Sequence, residues 1–201
     1  MMVRQIRVGT MQNFVYLVAD ESSKEAMAVD SGWDTDPIVR IANDEGMKVR
    51  FAVATHNHFD HTSTLRELAQ KLGAKVVAHK NSPISHDVPV ADGDTLRIGG
   101  KTIMVLHTPG HTEDSICLHD GENLFTGDTL FIGNCGRTDL PGGSPEKMYR
   151  SLHQVILKLP RGTTLYPGHD YGEVPFRKLS EESKLNPTLA AKSYAEFLRI
   201  P

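Results

Sequence analysis

The chain has 201 residues, of which 39% are hydrophobic, and this is enough for a globular domain with a sizeable buried core. Its formal net charge is −3 and it has no run of basic residues, which argues against a nucleic-acid-binding or membrane-surface protein. It has only two cysteines and no apolar stretch near the roughly 20 residues of a signal-anchored or membrane-spanning segment. We therefore expect a cytoplasmic protein that acts on a small molecule.

The first half of the chain alternates predicted strands and helices. Three short strands separated by turn residues predict an opening meander over residues 3–8, 14–19 and 26–30. A helix follows from Asp36-Pro37 to Gly46, with proline in its first turn and glycine after its end. The half closes with a buried strand, a helix capped by the polar residues 62–64, and a further strand, over residues 49–54, 65–72 and 75–79.

The second half changes to short strands and then to helices. Turn signals within residues 88–125 have the spacing of an antiparallel meander. Ser144-Pro145-Glu146 supplies a cap and a first-turn proline for a helix that runs to Pro160. A last strand, residues 163–166, precedes two short helices broken at Asn186-Pro187, in a C-terminal helical extension of about residues 177–201.

The pattern of elements predicts one domain over residues 1–201. Strand–helix alternation and strand meanders both occur, which places the chain in the α/β (α+β) class. The arrangement that buries both kinds of segment has two mixed sheets packed face to face, with the helices outside.

The segment Thr55-His56-Asn57-His58-Phe59-Asp60-His61 places three imidazoles and a carboxylate within six residues, directly after the predicted buried strand. A loop at the end of a strand can direct such side chains into one cavity while its neighbours hold it in place. His56 and His58 are two residues apart and can point the same way, whereas Asp60 and His61 follow where the chain turns into a helix. The segment predicts a metal site; the alternative is a polar loop that happens to be rich in histidine.

The order His-x-His-x-Asp-His and three later segments resemble the signature of the metallo-β-lactamase superfamily. The later segments are Thr108-Pro109-Gly110-His111-Thr112, Thr126-Gly127-Asp128-Thr129 and Tyr166-Pro167-Gly168-His169-Asp170-Tyr171. The chain is most similar to the glyoxalase II and persulfide dioxygenase branch. This resemblance implies a four-layer αβ/βα sandwich with the site along one edge of the two sheets. His58 stands where the flavodiiron branch has a glutamate, which argues against that branch.

Position by position, the resemblance implies seven ligands for one or two metal ions. His56, His58 and His111 match the ligands of a first ion, Asp60, His61 and His169 those of a second, and Asp128 the bridge. All are nitrogen or oxygen donors without a thiolate, unlike most closed structural zinc sites. Imidazole and carboxylate suit zinc, iron or manganese. We therefore expect one or two Zn²⁺ ions per chain, with Fe²⁺ as the alternative.

The resemblance favours a metal-dependent hydrolase similar to glyoxalase II, which is hydroxyacylglutathione hydrolase. Since a divalent metal lowers the pKa of bound water from about 15.7 to about 7, a metal-bound hydroxide would attack the thioester of a small thiol. Asp60 is expected to ligate and orient that hydroxide, and either Asp128 or the departing group to handle protons. Arg137 and Tyr171 match residues that help these relatives hold glutathione. The alternative for Arg137 is a structural pair with Asp139 in a glycine-rich turn.

A second function fits the same positions. The resemblance to persulfide dioxygenases implies a single non-haem iron held by the equivalents of His56, His111 and Asp128, and a glutathione-like persulfide as substrate. The run of residues 136–143, Gly-Arg-Thr-Asp-Leu-Pro-Gly-Gly, is closer to those relatives than to glyoxalase II proper. A non-catalytic metal-binding module and a lactonase-like hydrolase are further alternatives. Whether the chain is a monomer or a homodimer stays open.

Overall fold

The computed structural model describes residues 1–200, which form two six-stranded sheets packed face to face. The first sheet consists of β1 (Met2–Val8), β2 (Asn13–Ala19), β3 (Glu25–Val29), β4 (Lys48–Val53), β5 (Lys75–His79) and β6 (Val88–Val90), in that order. The second sheet runs from β12 (Arg177–Lys178) through β11 (Thr164–Pro167), β10 (Asn123–Gly127), β9 (Ile116–His119) and β8 (Lys101–His107) to β7 (Thr95–Ile98).

Helices cover the outer faces of both sheets. They are α1 (Asp36–Asp44), α2 (Phe59–Thr62), α3 (Leu65–Leu72), α4 (Pro145–Arg150), α5 (Leu179–Leu185), α6 (Pro187–Ala190) and α7 (Tyr194–Phe197). A π-helical segment (Ser151–Val155) and a 3-10 turn (Ile156–Lys158) continue α4. Within the described chain, no helix is both long and apolar enough to cross a lipid bilayer.

Strand β2 shows why the molecule has four layers. Its residues alternate between two faces, and both faces are apolar and buried. Tyr16 and Val18 belong to the core between the sheets, together with Phe125 of the second sheet. Val15 and Leu17 point the other way and pack with the buried faces of α1 and α3. The predicted αβ/βα sandwich of two mixed sheets with helices outside is therefore confirmed.

The strand pairing matches the predicted order of elements with one exception. Strands β1 to β3 are antiparallel and β3 to β6 parallel, whereas β7 to β10 form an antiparallel meander and β10 pairs in parallel with β11. The prediction that the meander begins at residue 88 is wrong, because Val88–Val90 pairs with β5 in the first sheet. Hydrogen bonds from Lys80 N to Val90 O and from Asp87 N to Val76 O, each 2.8 Å, hold it there.

The helix ends differ from prediction at two places. Thr64 does not cap α3 with its side chain, and its hydroxyl instead donates to the carbonyl of Trp33 at 2.6 Å. Ser144 does cap α4 as predicted, by accepting from Lys147 N at 3.3 Å. In the described C-terminal part, three short helices follow β11 rather than two, because Ser193 caps one more turn; the break at Asn186-Pro187 is confirmed.

Several strand ends meet along one edge of the sandwich. β3 and β4 are parallel neighbours in the first sheet, and β10 and β11 are parallel neighbours in the second. Since parallel strands have their carboxyl ends on the same side, the segments that follow them lie close together. A hydrogen bond from Ile116 N to Thr55 O at 2.8 Å joins the two sheets there. All the predicted metal-binding segments follow strands that end at or near this edge.

Candidate metal centre

The structure brings the seven predicted ligands together in one place. They form three overlapping groups whose potential ligand atoms lie within 4.8 Å of one another: His56, His58 and His111; His56, His61 and Asp128; and Asp60, His61 and His169. His58 is half-buried, and the other six are buried. Segments far apart in the chain therefore supply one continuous cluster of donors, and the role of each residue as a ligand stays a prediction.

The ring nitrogens of this cluster approach each other closely. His58 Nδ1 lies 3.2 Å from His56 Nε2 and 2.9 Å from His111 Nε2, while His61 Nε2 lies 3.1 Å from His169 Nε2. A neutral imidazole has one N–H and one lone pair, so these nitrogens cannot all be satisfied by hydrogen bonds to each other. Lone pairs directed at a common point are what a cation requires.

Acceptors on the far side of three of the five rings fix the orientation of those rings. The Nδ1 atoms of His61, His111 and His169 lie 2.9, 2.7 and 2.9 Å from Asp30 Oδ2, Arg137 O and Met11 O. Each Nδ1–H can donate outward, which leaves the lone pair on Nε2 facing the cluster. Metal-binding histidines have outer partners of this kind almost without exception, so the surroundings of these three rings fit a metal centre.

Two buried polar residues of the site were missed by sequence reasoning. Asp30 follows β3 in a left-handed conformation (φ 59°) and accepts from Thr55 N and Oγ1 at 2.7 and 2.8 Å as well as from His61. Asn13 donates to Asp60 Oδ2 at 2.9 Å and is itself held by Trp33 Nε1 at 2.7 Å. An aspartate at the end of an apolar strand was a signal for Asp30, whereas nothing local marked Asn13.

Asp128 carries the clearest sign that a cation belongs in the cluster. Its Oδ1 is buried and makes no hydrogen bond with any described residue, although His61 Nε2 lies 3.3 Å away. Leaving a buried carboxylate oxygen unsatisfied is costly unless a charge or a donor compensates it. A zinc or iron ion would provide that charge, and the imidazole and carboxylate donors around it suit either metal. The expected cofactors therefore fit the residues present.

Burial and neighbouring charges divide the histidines into two kinds. Burial, reinforced by the nearby His61, holds the pKa of His56 well below its ordinary value, so this ring is neutral and ready to donate a lone pair. Burial also lowers the pKa of His61, but the carboxylates of Asp128 and Asp30 outweigh it and raise that pKa to about 9. In the metal-free protein this raised pKa favours the charged His61, protonated on both ring nitrogens, and the lone pair on Nε2 becomes available only when that proton leaves.

Metal uptake is expected to release protons and to weaken as the pH falls. Because the pKa of His61 is raised to about 9, a proton competes with the metal at every pH below that value. The apparent affinity should fall by about tenfold per pH unit for each displaced proton between pH 9 and pH 7, and further below pH 6 as other imidazoles protonate. Titration of the metal-free protein with zinc in a chelator competition assay at several pH values measures this slope. An affinity that stays constant from pH 9 to pH 4.5 would contradict it.

A cavity of about 850 Å³ opens beside the cluster. Metal-cluster residues form its base, and its walls combine apolar side chains with two arginines. Tyr171 stands at this wall and stacks on the His169 ring, with centroids 4.6 Å apart and planes 13° apart. Phe131 packs edge-on against both of these rings. The predicted substrate residue Tyr171 therefore lines the cavity in contact with a predicted ligand, His169.

Arg137 also lines the cavity, but its guanidinium pairs with Asp139. Its Nε and Nη2 each donate to the Asp139 carboxylate at 2.8 Å, which is the structural pair that the sequence left as an alternative. Both side chains are about two-thirds exposed, so solvent screens this pair and a competing carboxylate could replace Asp139 at small cost. The pairing does not remove Arg137 from the wall of the cavity.

The sandwich with its histidine- and carboxylate-rich edge defines a metal-dependent enzyme. The chain belongs to the metallo-β-lactamase superfamily, whose sequence profile matches residues 8–83 and 80–169. The human mitochondrial persulfide dioxygenase ETHE1 is 35% identical over 99% of this chain and 80% of its own. The crystal structure of ETHE1 from Myxococcus xanthus superposes with a TM-score of 0.93 and 34% identity, covering 100% of this chain and 92% of that one. A hydroxyacylglutathione hydrolase of Methylobacillus flagellatus is 38% identical over 80% of this chain and 63% of its own. Both branches of the predicted resemblance are thus confirmed as relatives.

Proposed function

We propose that this chain is a persulfide dioxygenase that uses one iron ion held by His56, His111 and Asp128. The observation that supports it most is the match to persulfide dioxygenases over 99% of the sequence and 100% of the fold. The hydrolase that the sequence analysis favoured has weaker support, because its relative aligns with 80% of the chain. The alternative function of the sequence analysis is therefore the one proposed.

The three residues fit the proposal by chemistry and by distance. Two imidazoles and one carboxylate with open positions are the usual donor set of non-haem iron oxygenases. His111 Nε2 lies 3.5 Å from Asp128 Oδ2, and His56 shares a donor group with each of the two. An iron ion bound there would supply the activation of dioxygen beside the terminal sulfur of the persulfide.

The cavity fits a thiol of moderate size with an anionic end. The persulfide would enter with its sulfur toward the donor cluster and its carboxylate toward Arg137, whose fork of N–H groups suits bidentate pairing. Phe131 and Tyr171 pack against each other and against His169, so they limit the access of water to this side of the cluster. Apolar walls leave room for the body of the thiol.

One observation favours hydrolysis of a thioester as the second candidate. Asp60, His61 and His169 form a complete group of donors beside the first one, which is sufficient for a second ion. Asp128 lies between the groups, with its carboxylate oxygens 3.3 Å from the Nε2 atoms of both His61 and His169. A carboxylate in that position can bridge two ions of a hydrolytic centre.

Metal content and oxygen uptake separate the two functions. Protein purified without added metal should contain about one iron per chain and consume oxygen when glutathione persulfide is added. About two zinc ions per chain, with hydrolysis of a glutathione thioester and no oxygen uptake, would refute the dioxygenase and support the second candidate. Assaying both substrates on the same preparation provides the internal control.

A further inference from the structure

The turn of residues 131–134 forms part of the cavity wall just after Asp128. It is closed by a hydrogen bond from Phe131 N to Asn134 O at 2.9 Å. The Phe131 ring contacts His169 edge-on, with centroids 5.7 Å apart. All four residues of the turn line the cavity. A small shift of the turn would therefore change both the shape of the cavity and the packing on a predicted metal ligand.

Two buried polar residues of the C-terminal helices hold this turn. Glu182 of α5 is fully buried and accepts from Gly133 N at 2.6 Å and from Asn186 Nδ2 at 2.9 Å. Asn186, also fully buried, donates from the same Nδ2 to Asn134 O at 3.0 Å and to Phe131 O at 3.3 Å. One carboxylate and one amide thus form hydrogen bonds with the backbone of three of the four residues of the turn.

The Glu182 carboxylate also fixes an arginine side chain at the cavity wall. Arg177 lines the cavity, and its Nη1 donates to Glu182 Oε2 at 3.1 Å. Only 12% of the Arg177 side chain is exposed, and a second carboxylate, Glu173, lies 3.5 Å from Nη2. Glu182 therefore joins the backbone of the turn to the guanidinium on the same wall.

A purely structural role does not account well for this arrangement. Glu182 is buried on α5, whose buried residue Leu179 packs in one apolar cluster with Leu189. Burying a charge pair in such surroundings stabilises a protein no better than well-packed apolar residues of similar size. What the pair does provide is directed hydrogen bonds, and these go to the turn, to the cavity arginine and to Asn186.

We propose that Glu182 is a positioning residue of the substrate cavity. It fixes the turn of residues 131–134 through Gly133 and Asn186, and it fixes the guanidinium of Arg177 at the wall of the same cavity. The proposal rests on the proposed function for the identity of the substrate, but not for the position of the turn. Loss of the carboxylate should weaken substrate binding while the metal ligands stay in place.

The test compares Glu182→Gln with Glu181→Gln. The first variant keeps the size of the side chain but presents an amide N–H to Arg177, whereas Glu181 is exposed and makes no ion pair among residues 1–200. For Glu182→Gln we expect the KM for glutathione persulfide to rise about tenfold, with kcat and iron content within about twofold of the wild type. Glu181→Gln should leave both constants unchanged. An unchanged KM in Glu182→Gln together with a lowered Tm would overturn the proposal, because this is the result of a structural role alone.

Hydrogen exchange provides a measurement that does not depend on the reaction. Loss of the Glu182 contact should speed amide exchange in residues 131–134 and leave the strand Thr164–Pro167 as protected as in the wild type. Equal exchange of the turn in both proteins would overturn the proposal even if the wild type had no dioxygenase activity.

If Glu182→Gln does not fold, Asn186→Ser serves instead, since serine can still cap α6 but cannot reach Phe131 O and Asn134 O. The same local increase in exchange is expected, and its absence would also count against the proposal.

Discussion

Replacing Asp128 by alanine is expected to abolish activity and to lower the metal content of the protein. The carboxylate is buried among three predicted ligands, with His61 and His169 Nε2 at 3.3 Å and His111 Nε2 at 3.5 Å. Burial alone raises the pKa of Asp128, but His61 and His169 outweigh it and lower that pKa well below its ordinary value, so the group is fully ionised at neutral pH. The loss of metal affinity should exceed the roughly 10- to 100-fold loss that follows removal of an outer partner of a metal ligand. Metal analysis and oxygen uptake on the purified variant measure it.

Two further variants test whether the charge or the shape of Asp128 matters. Asp128→Asn keeps the size of the side chain but removes its charge, so it should lose most of the metal as well. Asp44→Ala removes an exposed carboxylate at the end of α1 and should leave metal content and activity unchanged. Retention of full activity and metal by Asp128→Ala would refute its proposed place at the centre of the cluster.

The second large effect is expected for Gly136→Ala. A Cβ at this position would overlap the carbonyl oxygen of Asp128 and lie 3.1 Å from His111 Nδ1. The next residue, Arg137, supplies the carbonyl that orients His111, so a displaced main chain would disturb the ring as well. Overpacking of this kind costs about 1–3 kcal/mol of folding free energy. The disturbed outer partner should cost about a further 10- to 100-fold in metal affinity.

Gly162→Ala is the matched control for this substitution. Gly162 lies in an exposed turn before β11, and a Cβ there would meet no described atom within 4 Å. Its thermal unfolding and metal affinity should match those of the wild type. If Gly136→Ala binds metal as tightly as Gly162→Ala, the close packing behind His111 and Asp128 has no part in holding the site.

The residues of the donor cluster could be predicted because they stand in segments that are recognisable without their surroundings. His56, His58, Asp60 and His61 are neighbours in the chain, and His111, Asp128 and His169 each stand in a short segment with its own glycine. Among the polar residues around the cluster and its cavity, Asp30 had a local signal, but Asn13 and Glu182 could not be predicted in this way. Asn13 and Glu182 reach the site from elements far away in the sequence, and nothing in their local sequence marks them as buried.

The same division holds for the fold. The continuous apolar run of β2 reflects burial on both faces, and the helical spacing of apolar residues in α1 and α3 reflects one buried face, so the local sequence records both. The pairing partner of a three-residue strand such as Val88–Val90 depends on where the preceding loop places it. Its own sequence therefore could not show that it belongs to the first sheet. The prediction that Thr64 caps α3 was wrong for a similar reason, because the Thr64 hydroxyl donates to Trp33 O, which lies in another part of the chain.

By itself the sequence determined the layers of the fold, the superfamily and the set of donor side chains, because each is encoded in periodicity or in short motifs. Only the tertiary structure decided how the donors are grouped, which acceptors orient their rings and which arginine side chains line the cavity. These depend on distances between residues up to 158 positions apart, such as His169 Nδ1 and Met11 O. Such distances are set by the packing of two sheets against each other, and no local pattern in the chain records them.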